Sequence, residues 1–168
     1  MVPEPAHSKH EAHLHLVARL RQQADDVRHI VSGLDESAFA KRTVPDKWSL
    51  KELACHLHRV QQVFEERLDA MLNQENPQIA RYDPEGDQEF ERMTVRPAAE
   101  ALSRFLEDRE RLAQRLEKLS PAEWHRPGRH PEFAHFDVHF QIEYIGHHEA
   151  HHIYQMFQRR VPLGKLPH

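Results

Sequence analysis

The sequence predicts an all-α protein, a four-helix bundle with long crossover connections, and three observations carry that prediction. Leu, Ala, Glu, Gln and Arg dominate while Val and Ile are sparse, so propensity favours helix over strand. The eleven prolines fall between four long proline-free runs. Within each run apolar residues recur every three or four positions, and no stretch of useful length alternates as a strand would.

The first run, about residues 10–33, sets Leu16, Leu20, Ala24, Val27, Val31 and Leu34 on one side, with Gly33 as its terminator. The second, about 50–72, carries Leu53, Leu57, Val60, Phe64, Leu68 and Met71. Ser49-Leu50-Lys51-Glu52 marks its start as a capping box, in which Ser49 accepts from the amide of residue 52 and Glu52 reaches back to residue 49. Trp48 and Leu53 complete a hydrophobic staple around that cap. The third run opens at Pro97 and carries Leu102, Phe105, Leu112, Leu116 and Leu119; its charge run Glu107-Asp108-Arg109-Glu110-Arg111 reads as a solvated face with local ion pairs. The fourth, about 138–160, holds Ile142, Ile145, Ile153 and Met156. Four amphipathic helices of ~20 residues make a bundle. The connections 35–48, 73–96 and 120–137 exceed the ~2–8 residues of a simple up-down bundle, so they permit crossovers and offer loops for function. Ser120-Pro121-Ala122-Glu123 reads as a short extra helical turn with its own capping box.

The length of 168 residues suits a single domain spanning 1–168 with its core at about 10–160. A formal charge of -4 with both signs interspersed leaves no footprint for nucleic acid. No apolar run approaches the ~20 residues of a membrane span, and no signal peptide is evident, so a cytoplasmic location is expected. The lone Cys55 excludes an intrachain disulfide and reads as a packed thiol.

Sixteen histidines are the chemical signal. His148 and His152, four apart on a helix, share one face a turn apart and could grip one cation. With Glu149 they also spell H-E-x-x-H. A metzincin reading needs glycine three residues after His152 and histidine three further on, where Gln155 and Gln158 stand; the other zincin type needs a later carboxylate ligand, and no Asp or Glu follows Glu149. The string is therefore read as an accident, with Glu149 solvent-facing or behind the ligands. His56 lies two turns beyond the Ser49 cap on the stripe of Leu53, Val60 and Val63, so it faces the core and could meet His148 and His152. His58, beside Gln61 and Gln62, is expected to meet solvent. Three imidazoles leave a coordination position open, as catalytic sites do.

Trp48-Ser49-x-x-Glu52-x-x-x-His56, then His130-Pro131-Glu132-Phe133, then His148-x-x-x-His152-x-x-Gln155 resembles the DinB/YfiT-like superfamily over roughly residues 10–160. The resemblance implies a four-helix bundle with a three-histidine divalent metal site mapping onto His56, His148 and His152. Relatives include thiol S-transferases using bacillithiol, a mycothiol-dependent maleylpyruvate isomerase, and many proteins labelled metal-dependent hydrolases. Relatives often carry an aspartate shortly after the first histidine, where this chain reads Leu57-His58-Arg59-Val60.

The expected function is that of a DinB-like divalent-metal-binding protein, a metal-dependent enzyme of thiol S-transferase or hydrolase type. Zinc or nickel suits imidazole ligands best, with iron or manganese also compatible. A small-molecule substrate and a low-molecular-weight thiol are the expected partners. Glu52, Glu149 and Gln155 are the candidates to orient a nucleophile. The rival reading is a non-catalytic stress-associated binding module with a structural or vestigial metal. Phe140, Tyr144, His147, His151 and Tyr154 share another face of the last helix, read as packing or a homodimer contact. His7, His10 and His13 read as a solvated, frayed end, and Trp48 and Trp124 as structural anchors.

Overall fold

The computed structural model describes residues 6–167, with side chains from residue 10 onward. Among them four long helices dominate: α1 (Ala6–Val31), α3 (Leu50–Asn73), α5 (Ala98–Glu117) and α7 (Val138–Arg160). Short helices α2 (Glu36–Ala40), α4 (Gln88–Thr94) and α6 (Pro121–Trp124) sit in the connections. A two-residue antiparallel pair, β1 (Pro127–Gly128) with β2 (Phe136–Asp137), precedes α7, and a 3-10 turn at Val161–Leu163 follows it. None of the described helices is long and apolar enough to cross a membrane.

Each long helix packs on two others: α1 on α5 and α7, and α3 on the same two, so α1 and α3 lie across the bundle from one another. Gln61 pairs with Arg109 and Asp69 with Arg115, so α3 and α5 run parallel. His13 meets His139 and Gln23 meets Gly146, so α1 and α7 also run parallel. In contrast, Gln141 meets Phe64 while Arg159 meets Trp48, so α3 and α7 are antiparallel. The order is up-down-down-up. Its physical consequence is the long connections: α1→α3 and α5→α7 must cross a diagonal, and α3→α5 must return the length of a helix.

Side-chain caps set the helix starts. Ser49 Oγ accepts from the Glu52 amide at 3.1 Å, but the Glu52 carboxylate turns to Arg42 (3.0 and 2.9 Å) instead of closing the expected capping box. A charged partner outcompetes a backbone amide for that carboxylate. The predicted box at Ser120 does form, with Glu123 returning to the Ser120 amide at 2.7 Å. The Glu36 carboxylate of α2 accepts from the Ala98 amide and caps α5, while Arg126 donates to the carbonyls of Met71 and Gln74 at the end of α3. Gly33 follows α1 with φ of +78°, the left-handed conformation of a helix terminator.

The apolar interior falls into two main clusters. One gathers Val17, Leu20, Val60, Phe64, Leu112, Leu116, Ile142 and Ile145; the other gathers Ala24, Val27, Leu53, Leu57, Phe105 and Met156. Between them lies a polar node. Arg109, 1% exposed, donates from Nε to Gln61 at 2.7 Å and from Nη1 to the Leu20 carbonyl and Glu149, both at 2.9 Å; its Nη2 also pairs with Glu149. One guanidinium thereby ties all four long helices.

This node corrects two expectations. Arg109 is not on a solvated face: it occupies the buried stripe Ala98, Ala101, Phe105, Arg109, Leu112, Leu116. Glu149, expected either in solvent or behind the ligands, is not in solvent: it is 2% exposed and engaged by Arg109. His58 is a third correction. It is buried and bonded to Asp108, because α3 is enclosed by α5, α7, α2 and α4 and its N-terminal half has no free face. His13 is the fourth. It is 1% exposed, stacks on Trp124 at 4.6 Å and meets His139 Nδ1 at 2.8 Å. The helix begins early enough to put His13 on the stripe of Val17 and Leu20; the His7 side chain lies outside the described residues. Cys55 is packed as expected, its Sγ 3.6 Å from the Met93 carbonyl, and burial pushes its thiol up to about 11.

Candidate metal centre

The antiparallel crossing of α3 and α7 brings His56 to His148 and His152. Ring centroids lie 5.3 Å apart for His56–His148, 4.6 Å for His56–His152 and 4.5 Å for His148–His152. One nitrogen from each ring falls within 4.8 Å of the others. Among the described residues no cysteine or carboxylate joins this group.

The rings fit a cation. Burial first, and then the neighbouring His152 and His148, pull His56 down to about 3. Burial, then His152 and His151, take His148 to about 4, and His152 is lowered chiefly by burial. All three are neutral near pH 7, the form that ligates metals. Nδ1 of His56 and of His148 are buried without a hydrogen-bond partner, and His148 Nε2 faces His152 Nε2 at 3.1 Å. Gln155 Oε1 accepts from His152 Nδ1–H at 2.7 Å, which leaves the Nε2 lone pair directed at the cluster. Trp48 and Phe90 wall His56, with ring centroids 4.8 and 6.1 Å away.

Of the three polar candidates, Gln155 alone contacts a triad ring. Glu52 is held by Arg42 and Glu149 by Arg109. Tyr144, grouped with a packing or dimer face from the sequence, packs within the chain by stacking on His148 (6.3 Å, 9°) and on Phe64 (5.7 Å, 19°). His147, His151 and Tyr154 remain exposed on α7.

The triad lines a cavity of about 340 Å³. Two connections wall it: Arg81, Tyr82 and Pro84 from one, His130, Glu132, Phe133 and Phe136 from the other. They are stitched together, the Ile79 amide donating to the Arg129 carbonyl (2.7 Å) and the Arg129 amide to the Pro77 carbonyl (2.8 Å). Gly128 permits this close approach, since a Cβ there would sit 2.8 Å from Ile79 Cγ1. Sequence reasoning missed Arg67, which also lines the cavity. Its signal was a cation on the α3 stripe that runs through His56, Val60 and Phe64.

The model of the DinB superfamily matches residues 19–156, most of the chain. The protein belongs to the DinB superfamily. A solved structure, YfiT from Bacillus subtilis, described as a probable metal-dependent hydrolase with an unusual four-helix bundle topology, is similar to this DinB chain with a TM-score of 0.77. The similarity covers 98% of this chain and 92% of YfiT at 17% identity, and at that identity it shows the shared fold alone. No curated protein sequence matches the chain.

Proposed function

We propose that this protein is a metal-dependent enzyme acting on a small molecule, with His56, His148 and His152 holding one divalent ion. The observation that carries the proposal is three neutral imidazoles converging on the wall of an open cavity, with no further protein ligand beside them among the described residues. An ion held by these three imidazoles would supply Lewis acidity there and lower the pKa of a protic nucleophile. Zinc or nickel suits the imidazole set best.

The chain's own contributions are positional. Gln155 fixes the tautomer and plane of His152. The Arg109–Glu149 pair anchors the turn of α7 that carries His148. Trp48 and Phe90 keep bulk water from the flank of His56. Glu52 and Glu149 both have arginine partners, so neither stands free as a general base. That favours a thiol as nucleophile over water, because a thiol reaches its reactive anion without a strong base. Hydrolysis is the second reading, supported by the description of YfiT. A purely structural metal would want a closed coordination sphere, whereas this cluster opens onto a cavity.

Elemental analysis of the tag-free protein should find about one ion per chain, and almost none in a His56→Ala/His148→Ala/His152→Ala variant. Equal metal content in both sinks the site. Turnover of an electrophile that requires a low-molecular-weight thiol marks a transferase; turnover of esters or amides in water alone marks a hydrolase.

A further inference from the structure

The arginines of the bundle divide by partner: Arg126, Arg159 and Arg160 donate to backbone carbonyls. Arg21, Arg59, Arg109 and Arg115 each meet a carboxylate. Arg67 meets none within 4.0 Å among the described residues, although it is only partly exposed and lies against the cavity. Its guanidinium sits over the Phe64 ring at 4.8 Å, and Nη2 donates to the Ala80 carbonyl at 2.6 Å. Among the described residues Nε and Nη1 make no hydrogen bond. Burial lowers its pKa, and only Tyr144 acts in the opposite sense. Glu132, a carboxylate on the cavity wall, is paired with Arg81 at 3.3 Å; burial, then Arg67, lowers the pKa of His130 while Glu132 acts to raise it. A desolvated cation with two open donors and no counter-ion is an anion site in waiting, and a guanidinium fork fits a carboxylate.

The cavity that Arg67 shares with the triad has an aromatic wall, with Arg81, His130 and Glu132 also on its lining. Arg67 stands eleven residues beyond His56 on α3, about three turns along the same face. Phe64, Phe133 and Tyr144 fill that interval, with Phe133 and Tyr144 edge to face at 5.7 Å. At about 340 Å³ the cavity accepts one ring or a short branched chain, near the lower limit of ligand pockets.

We infer that the cavity binds small aromatic or apolar carboxylates, with Arg67 anchoring the carboxylate, the aromatic wall holding the body and the far end directed at the histidine triad. The inference rests on the proposed metal-enzyme reading for what happens at that far end, but the anchor itself does not. Calorimetric titration of the full-length protein with phenylacetate and 3-phenylpropionate, against their neutral amides, tests it in metal-free and zinc-loaded protein. The acids should bind about tenfold or more tighter than the amides in both forms. Arg67→Met should bring acid and amide within about twofold, and Arg67→Lys should keep part of the preference, with unchanged zinc stoichiometry and a folded far-UV spectrum. No binding by the acids at millimolar concentration, equal binding of acid and amide, or an acid preference that survives Arg67→Met each overturns the inference. A preference confined to zinc-loaded protein and indifferent to Arg67 would assign the carboxylate to the metal and leave the metal reading standing. An Arg67-dependent preference in a protein that binds no zinc would leave the anchor standing and remove the metal reading.

Discussion

His148 and Glu149 are successive residues of α7 and belong to two polar clusters on different sides of that helix. On the Glu149 side, Arg109, Gln61 and the Leu20 carbonyl close a network in which every nitrogen of the guanidinium has an acceptor. On the His148 side, two imidazole nitrogens are buried without a partner and the cluster opens to a cavity. The first is charged and satisfied; the second is neutral and incomplete. A buried group left unsatisfied destabilises the fold unless something else completes it, so the incomplete cluster is where function is to be sought. The satisfied one holds the helices that carry it.

The comparison breaks most visibly at Arg109. Arg109→Met leaves the Glu149 carboxylate buried and unpaired and should cost about 3–5 kcal/mol in urea unfolding. Adding Glu149→Leu should recover most of that, because a matched apolar pair replaces the buried ions at little net cost. An Arg109→Met protein as stable as wild type would refute the node's structural role.

Acid separates the clusters next. Burial depresses the pKa of His56, His148 and His13 in the fold to about 3, 4 and 4, below the ~6.5 of an unfolded chain. Below pH 6.5 the unfolded chain therefore binds protons that the native state refuses. Their contribution is present in full above about pH 6.5 and is lost as pH falls towards 4. Denaturation of metal-free protein should be level in this respect above pH 6.5 and weaken progressively below it. A midpoint that holds constant from pH 7 to 4.5 would contradict the burial of these rings as neutral groups.

Gln155 sharpens the contrast on the triad side. Gln155→Leu removes the acceptor that orients His152 and should weaken metal binding about 10–100-fold with little change in unfolding midpoint, whereas Gln155→Glu retains the acceptor and the affinity. Equal affinity in the leucine variant would make Gln155 a bystander. The smallest effect belongs to Glu52. Its pairing with the half-exposed Arg42 is a surface bridge, so Glu52→Gln should cost no more than about 1 kcal/mol and leave metal content untouched. A loss of metal in that variant would return Glu52 to the site.

Much of the candidate site was legible because it is local. The spacing of His148 and His152 needs only helical periodicity, and the placement of His56 needs only the Ser49 cap and the stripe of Leu53 and Val60. The same reasoning failed for Arg109, Glu149, His13 and His58. Each is polar and reads by type as solvent-facing or, for Glu149, as solvent-facing or behind the ligands, although Arg109 sits squarely in an apolar stripe, as Arg67 does on α3. A charged residue in register with a core stripe was the available signal.

The sequence by itself determined four amphipathic helices, the caps at Ser49 and at the short turn after Ser120, the length of the connections and the histidine pair on α7. These depend on neighbours within a turn or two of chain. Only the tertiary structure decided that α3 runs parallel to α5, that Arg109 finds acceptors on three other helices, and that two distant connections close around the triad beside an unpaired Arg67. The reason is physical: whether a polar group is buried in comfort or left waiting for a partner depends on what the other helices present to it, and no stretch of sequence carries that within its own periodicity.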